Sequence, residues 1–422
     1  MLVNKKALTI LIVISLFATS SFQPVVSKFL KLKKDAHISL IGGNLGSRML
    51  NFDHFETEMQ LRYPDSSLFI RNMCDGGDTP GFRPHSARFS PWAFPGAEKF
   101  QTEFATKSGS EGHFDTPDQW LTRLKTDIVV AFFGYSESFE GAAGLLNYKA
   151  ELEAFIKHTK SQNYNGVNTP QIAMVSPIAF EDLSANKDLP NGKKENANIL
   201  LYTLAMKEVA KKNNILFLDA YTPSVKWYNE TKEPLTSDGL QLNNEGYKKF
   251  SLLLANELFG KVSTKNESYR PLLEEMVKER NWMWHNDYKI PNGVHVYGRR
   301  YNPFGVENYP AEIEKIRQMT DIRDKAVWMA ATKGVKMDIT EADKKTRELT
   351  KTTSNFNPDQ NGSLKYLYGE EALKAIKVAP GYKLELFALV DGQPNTLSRQ
   401  LLRTHQIFHT NLLKMYEKKV SQ

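Results

Sequence analysis

His37-Ile38-Ser39-Leu40-Ile41-Gly42-Gly43-Asn44-Leu45-Gly46 runs a short apolar segment into a turn that holds three glycines within five residues. The apolar part is too short for a helix and predicts a strand. The glycines predict a tight turn, and residues 47–62 then continue as a helix. Outward from this unit the pattern repeats. Residues 67–71, 128–133, 172–175 and 215–218 are further β-rich runs. Between them, residues 148–159 and 196–212 place apolar side chains at spacings of three and four, as an amphipathic helix requires. Strands that alternate with helices predict an α/β fold, a parallel sheet covered on both faces. In such sheets, sites collect at the C-terminal ends of the strands. Chemistry is therefore sought in the turns at residues 42–46, 75–78 and 134–138.

The 422 residues are 41% hydrophobic and 24% charged, a globular composition in a chain long enough for two or three domains. The formal charge is +7, but residues 1–35 hold six Lys against one Asp, and residues 396–422 hold five Lys or Arg against one Glu. The interior is left at −2, so the basic character belongs to the ends. No basic groove with interleaved aromatics stands between them, and nucleic acid is not expected as a partner. Residues 1–26 have the layout of an export signal: Lys5 and Lys6, an apolar run from Ala7 to Ala18, then small and polar residues up to Gln23. The run is shorter than the ~20 residues of a membrane span. No clean A-x-A site follows it, which leaves a cleaved leader and an uncleaved anchor both open. The protein is expected to be periplasmic or extracellular, with membrane association only through that segment. Cys74 is the only cysteine. An internal disulfide, a lipidated N-terminus, a C-x-x-C-H haem attachment and a multi-Cys metal site are thereby excluded. No cofactor and no metal are expected.

The turns also carry a resemblance. In chain order there is the glycine-rich turn after the first strand, then Asn72 leading to Gly77-Asp78, then Gly134-Tyr135-Ser136-Glu137. Last comes Asp238-Gly239-Leu240-Gln241-Leu242-Asn243-Asn244-Glu245-Gly246-Tyr247. These resemble the four blocks of the SGNH, or GDSL, esterase family, whose late signature reads D-G-x-H-x-N-x-x-G-Y before a final helix. Order, spacing and strand context agree over residues 36–262. The resemblance implies a three-layer α/β/α sandwich of flavodoxin-like type with an ester-hydrolase site. In the family a Ser nucleophile is served by a His base that an Asp orients, while a Gly amide and an Asn side chain complete the oxyanion hole. By position the nucleophile falls on Asn44, the base on Gln241, the orienting Asp on Asp238, and the oxyanion donors on Gly77 and Ser136. Only Gly77 and Asp238 match. An amide such as Asn44 has no ionisable oxygen, and Gln241 cannot take up a proton as imidazole does. A site without its triad keeps only ~10³ to 10⁴-fold acceleration over water. Ser136 still donates one hydrogen bond, with a shorter reach than Asn.

Other groups stand near these positions, each with two readings. Ser47 is a helix-cap or solvated hydroxyl, or a displaced nucleophile. His113, beside Asp115, is a solvated loop histidine or a displaced base. Glu137 and Glu181 are surface or capping carboxylates, or catalytic ones. Tyr135 packs, or stacks on a sugar ring.

A closer resemblance runs through Phe132-Phe133-Gly134-Tyr135-Ser136-Glu137-Ser138-Phe139, residues 153–164 and Ser176-Pro177-Ile178. These are similar to the N-terminal segment of very large exported bacterial proteins. In those proteins an SGNH-like domain, commonly without a clear GDS nucleophile, precedes a membrane-bound-dehydrogenase propeller, helical repeats and a c-type haem domain. Residues 263–345 are expected to be a mostly helical extension with amphipathic spacing at 269–280 and 311–331. Between these, Trp282, Trp284, His285, Tyr288, Tyr297 and Tyr301 either pack a helical hairpin or form a sugar-stacking surface, and a partner protein could dock here. In residues 346–422, a polar linker at 355–362 leads to residues 369–388, which resemble the lead-in to that propeller, and then to a basic tail at 395–422. The chain is expected to be a truncated relative, either a shortened reading frame or a stand-alone paralogue. Three functions stay open: a fold that binds a glycan or a partner without hydrolysis, an esterase on an acylated carbohydrate that uses displaced groups, and a structural fragment of a dehydrogenase and haem system.

Overall fold

The computed structural model describes residues 28–83, 91–105, 113–185, 188–290, 293–298, 301–349, 369–381 and 383–386. The leader, the linker at 355–362 and the tail at 395–422 lie outside the described residues. The described residues up to 349 belong to one compact unit, and those from 369 onward to a second. Within the second, a short exposed helix occupies Gly369–Ala375. Among the described residues no helix is long and apolar enough to cross a membrane.

Five strands make one parallel sheet: β1 (His37–Gly42), β2 (Phe69–Asn72), β3 (Ile128–Phe132), β4 (Gln171–Val175) and β5 (Leu216–Leu218), in the order β2-β1-β3-β4-β5. The main helices are α1 (His54–Arg62), α2 (Pro117–Arg123), α3 (Leu145–Ser161), α4 (Lys193–Lys212), α5 (Tyr221–Glu230), α6 (Asn244–Phe259), α7 (Arg270–Tyr288) and α8 (Tyr309–Lys333). Strand β3 shows why the sheet is covered twice. Ile128, Val130 and Phe132 point into a core shared with Phe55 and Met59 of α1 and Phe250 and Leu254 of α6. Val129 and Ala131 alternate with them and face Leu152 and Phe155 of α3 and Met206 of α4. A strand apolar on both parities has no solvent face, and the α/β sandwich expected from the sequence follows.

The single helix expected over residues 47–62 is broken into one helical turn at Asn44–Ser47, a 3-10 turn at Arg48–Asn51, and α1. Phe52 leaves helical geometry, at φ −136° and ψ 116°, and stacks on Tyr247 of α6 with ring centroids 4.5 Å apart. That tertiary contact outweighs the local helical pattern.

The helical extension completes the sheet. Leu273, Met276 and Val277 of α7 pack with Val327, Ala330 and Ala331 of α8 and with Leu61 of α1. Strand β2 is an edge, and a carbonyl on it and one at each of its ends receive side-chain donors from these helices. Trp328 donates to the Leu68 carbonyl at 3.1 Å, Arg280 donates to that of Ile70, and the Tyr288 hydroxyl donates to Met73 at 2.9 Å. The exposed ladder that would otherwise template strand addition is thereby occupied. Trp284 and Tyr288 are buried against Trp120. These two aromatics pack the hairpin and present no sugar-stacking face, whereas Trp282 is 48% exposed.

Candidate functional site

In the strand order β2-β1-β3-β4-β5 the connections leave in opposite directions from β1 and β3, which opens a crevice at the carboxyl ends of those two strands. The sequence places turns there that can line it closely. Gly42 pairs with Phe132, and a Cβ at Gly42 would lie 2.2 Å from the Phe132 carbonyl oxygen at a φ of +113°. Only glycine fits. The amide of Gly43 then donates to the same carbonyl at 2.7 Å, which delivers Asn44 to the crevice floor.

The resulting cleft, about 520 Å³ with its mouth included, is lined by Asn44, Leu45 and Arg48 after β1, by Asp78 after β2, and by Gly134 to Glu137 after β3. Ser176 to Ile178 after β4, together with Leu240, Gln241 and Tyr247, close it. Three of the five positions singled out in the sequence therefore meet here: Asn44, Ser136 and Gln241. Gly77 is exposed and stands outside the lining, although its neighbours reach it. Asp78 forms part of the wall, and a Cβ on Gly76 would be 4.0 Å from Asn44 Oδ1. Asp238 is also outside the lining. Its Oδ1 accepts from the amides of Leu240, at 3.0 Å, and Gln241, at 2.7 Å, so the carboxylate braces its own turn and is not aimed at the residue-241 side chain.

The loop that carries Gln241 is built by the rest of its stretch. Gly239, at φ +91°, passes so close to Phe180 that a Cβ would meet its ring at 2.3 Å. Asn243 caps α6 by accepting from the Gly246 amide at 3.0 Å, and Tyr247 donates to the Leu45 carbonyl at 2.9 Å. Glu181 is a buried anchor and no surface group. Its carboxylate accepts from the amides of Leu235, at 3.1 Å, and Thr236, at 2.8 Å. Asn72 does the equivalent for the first turn, donating to Gly46 at 2.7 Å and accepting from Cys74 at 3.0 Å.

The ionisable side chains of the cleft wall that bear on its charge are Arg48, Asp78 and Glu137. Asp78 faces Arg83, with 3.6 Å between Oδ2 and Nε. Glu137 turns its carboxyl inward. Oε2 accepts from the Gly134 amide at 2.9 Å, and Oε1 is buried without a hydrogen-bond partner. Burial pushes this carboxyl up to about 8, and the carboxylate of Glu151 adds to the rise. Glu151 is itself raised by burial, and it accepts from the Gly81 amide at 3.0 Å and from Thr79 at 3.1 Å. Tyr135 stands at the rim, edge-on to exposed Phe139. Burial, then Asp238 and Glu195, raise its hydroxyl.

The displaced candidates divide cleanly. Ser47 lies outside the lining. His113 is exposed, stacks on Tyr301 at 3.8 Å, and is not a cleft residue. Among the described residues no histidine lines the cleft, and none of the His, Cys, Asp and Glu groups clusters as a metal site. Arg48, Asp78 and the buried Glu137 and Glu151 escaped the sequence reading as a group. Arg48 sat within a presumed helix and Glu151 on an amphipathic one, with no spacing to connect them.

Among solved structures, the chain is similar to an acetylxylan esterase from Geobacillus stearothermophilus, with 13% identity, 56% of this chain and 100% of that one covered, and a TM-score of 0.39. It is also similar to a GDSL-like lipase from Parabacteroides merdae (13% identity, 54% and 98% covered, TM-score 0.38). A further acetyl xylan esterase is similar at 15% identity, with 51% and 97% covered and a TM-score of 0.35. No protein-family model and no curated protein matches the sequence.

Proposed function

We propose that residues 36–262 form an SGNH-type domain of an exported protein whose cleft binds a carbohydrate and does not use the Ser-His route to ester hydrolysis. One observation carries this reading. At the crevice between β1 and β3, the positions of nucleophile and base are held by Asn44 and Gln241, and both line the cleft beside Ser136. Amides and a hydroxyl can bind sugar hydroxyls in either direction, but they supply neither an ionised nucleophile nor a proton acceptor near neutral pH. The remaining wall, with Phe132, Phe133, Tyr135, Val175 and Pro177, is the apolar surface on which a sugar ring packs.

Calorimetric titration of the full chain with a panel of oligosaccharides is expected to give saturable binding with the ligand recovered intact. Absence of binding across the panel would refute the reading. A second reading, hydrolysis of an acylated carbohydrate through displaced groups, is favoured by the two carboxyls in the cleft wall, Asp78 and Glu137. It requires turnover of p-nitrophenyl acetate at high protein concentration that Asp78→Asn or Glu137→Gln abolishes. Turnover that neither substitution changes would remove it.

A further inference from the structure

Among the described residues, Arg48 is the one Arg or Lys in the cleft lining, and no carboxylate answers its charge. Its Nε is buried without a hydrogen-bond partner, and among the described residues no carboxylate forms an ion pair with it. Its guanidinium donates toward the Tyr247 hydroxyl on the same side of the cleft as Asn44, a neutral partner that leaves its charge unanswered. The two acids of the cleft do not answer it. Asp78 is engaged by Arg83 at 3.6 Å, and Glu137, pushed up to about 8 by burial, is uncharged near neutral pH. A guanidinium partly withdrawn from water and left without a counter-ion is costly unless something else completes it.

We propose that Arg48 makes this cleft a receptor for an acidic sugar, with a ring carboxylate of the uronate kind docked between the guanidinium and the side-chain amides of Asn44 and Gln241. The proposal rests on the carbohydrate-binding reading above and narrows its ligand. A single planar fork matches a planar carboxylate that takes two parallel N–H donors. With one cation that lacks a counter-ion and two neutral amides, the site balances a monoanion, and the second charge of a phosphate would meet no further cation in the lining.

The test compares a galacturonate oligosaccharide, its methyl ester, a neutral xylo-oligosaccharide and a sulfated oligosaccharide against the full chain by calorimetry. The free acid is expected to bind roughly 10-fold or more tightly than its methyl ester. Arg48→Gln should erase that preference, Arg48→Lys should restore only part of it, and on the unaltered protein the preference should shrink as ionic strength rises. The salt response keeps the test decisive if a variant fails to fold. Equal binding of acid and ester, or a preference that survives Arg48→Gln, overturns the assignment and leaves carbohydrate binding standing. Preference for the sulfated ligand overturns the carboxylate. Binding of none of the four overturns both.

Discussion

The buried carboxyl of Glu137 is the residue whose behaviour with pH is most distinctive. Its ordinary value of 4.5 rises to about 8 because burial penalises the charged form and Glu151 lies nearby. Between about 4.5 and about 8, the unfolded chain gives up this proton while the folded chain keeps it, so the folded state binds more protons. The stability tied to this group is therefore fully present below about 4.5 and is lost as pH rises through about 8. Glu137→Gln keeps an acceptor for the Gly134 amide and cannot ionise. It is expected to raise the melting temperature above pH ~8, by an amount on the order of a few kcal/mol in stability, and to change little in acid. A flatter course between about pH 4.5 and about 8 in a pH series of thermal melts is the sign to look for. The raised group at Glu151 keeps the slope from vanishing altogether. Melts in which the variant and parent run in parallel from about pH 4.5 to about 8 would show that the Glu137 carboxyl ionises freely in the fold.

Among the elements, the stretch from Leu235 to Tyr247 is built mainly by side chains and glycines that fix backbone. Asp238, Gly239, Asn243, Gly246 and Tyr247 each hold backbone, by an Asx turn, a close pass under Phe180, a helix cap, a fit against the Leu235 carbonyl and a tie to Leu45. Gln241 fixes none by its side chain, which lines the cleft. The strands and their order of turns were legible from the sequence because apolar runs and glycines are local signals. The site was legible as far as Asn44, Ser136 and Gln241, which sit on those same turns. Arg48 was not, because the break in the helix after Ser47 depends on Phe52 meeting Tyr247, a contact almost two hundred residues away in sequence. The anchoring of the loop by Glu181 was hidden for the same reason, and it yields a prediction. Glu181→Ala strips the buried amides of Leu235 and Thr236 of their acceptor, at a cost of about 1–3 kcal/mol. Hydrogen exchange at residues 235–242 should quicken while the sheet stays protected, and ligand affinity should fall because Leu240 and Gln241 lose their fixed place in the cleft wall. Unchanged exchange in that loop would mean that the adjoining turn and cap suffice without Glu181.

At the scale of the molecule, the helical extension and the sheet are held together by buried charge. Arg71 of β2 forms a bidentate pair with Asp324 of α8, at 2.6 and 3.1 Å. Arg280 of α7, fully buried, pairs with Glu56 of α1 and lies 3.8 Å from Asp324. Two cations and two anions are thus closed off from water at the β2 edge, where Arg280 and Trp328 also occupy the strand's free carbonyls. Nothing in the local pattern announces this. Arg280 and Asp324 sit on helices that also carry exposed charges such as Lys278 and Lys325, and the partners Arg71 and Asp324, like Glu56 and Arg280, lie over two hundred residues apart. Such a set is held by its completeness. Losing one member leaves a buried charge uncompensated, which costs roughly 3–5 kcal/mol, whereas an exposed pair contributes about 0–1 kcal/mol. Asp324→Ala is therefore expected to lower the urea midpoint of the whole unit, with sheet and helices lost in one transition. Lys336→Ala, which breaks an exposed pair with Glu275 at 2.6 Å, should leave the midpoint almost unmoved. Both are read by tryptophan fluorescence, since Trp120 and Trp284 stack across the junction of α2 and α7. If Asp324→Ala instead splits the transition in two, with the sheet surviving after the helices are lost, residues 263–345 are a separable cover. A single shifted transition makes them part of the sheet's own core.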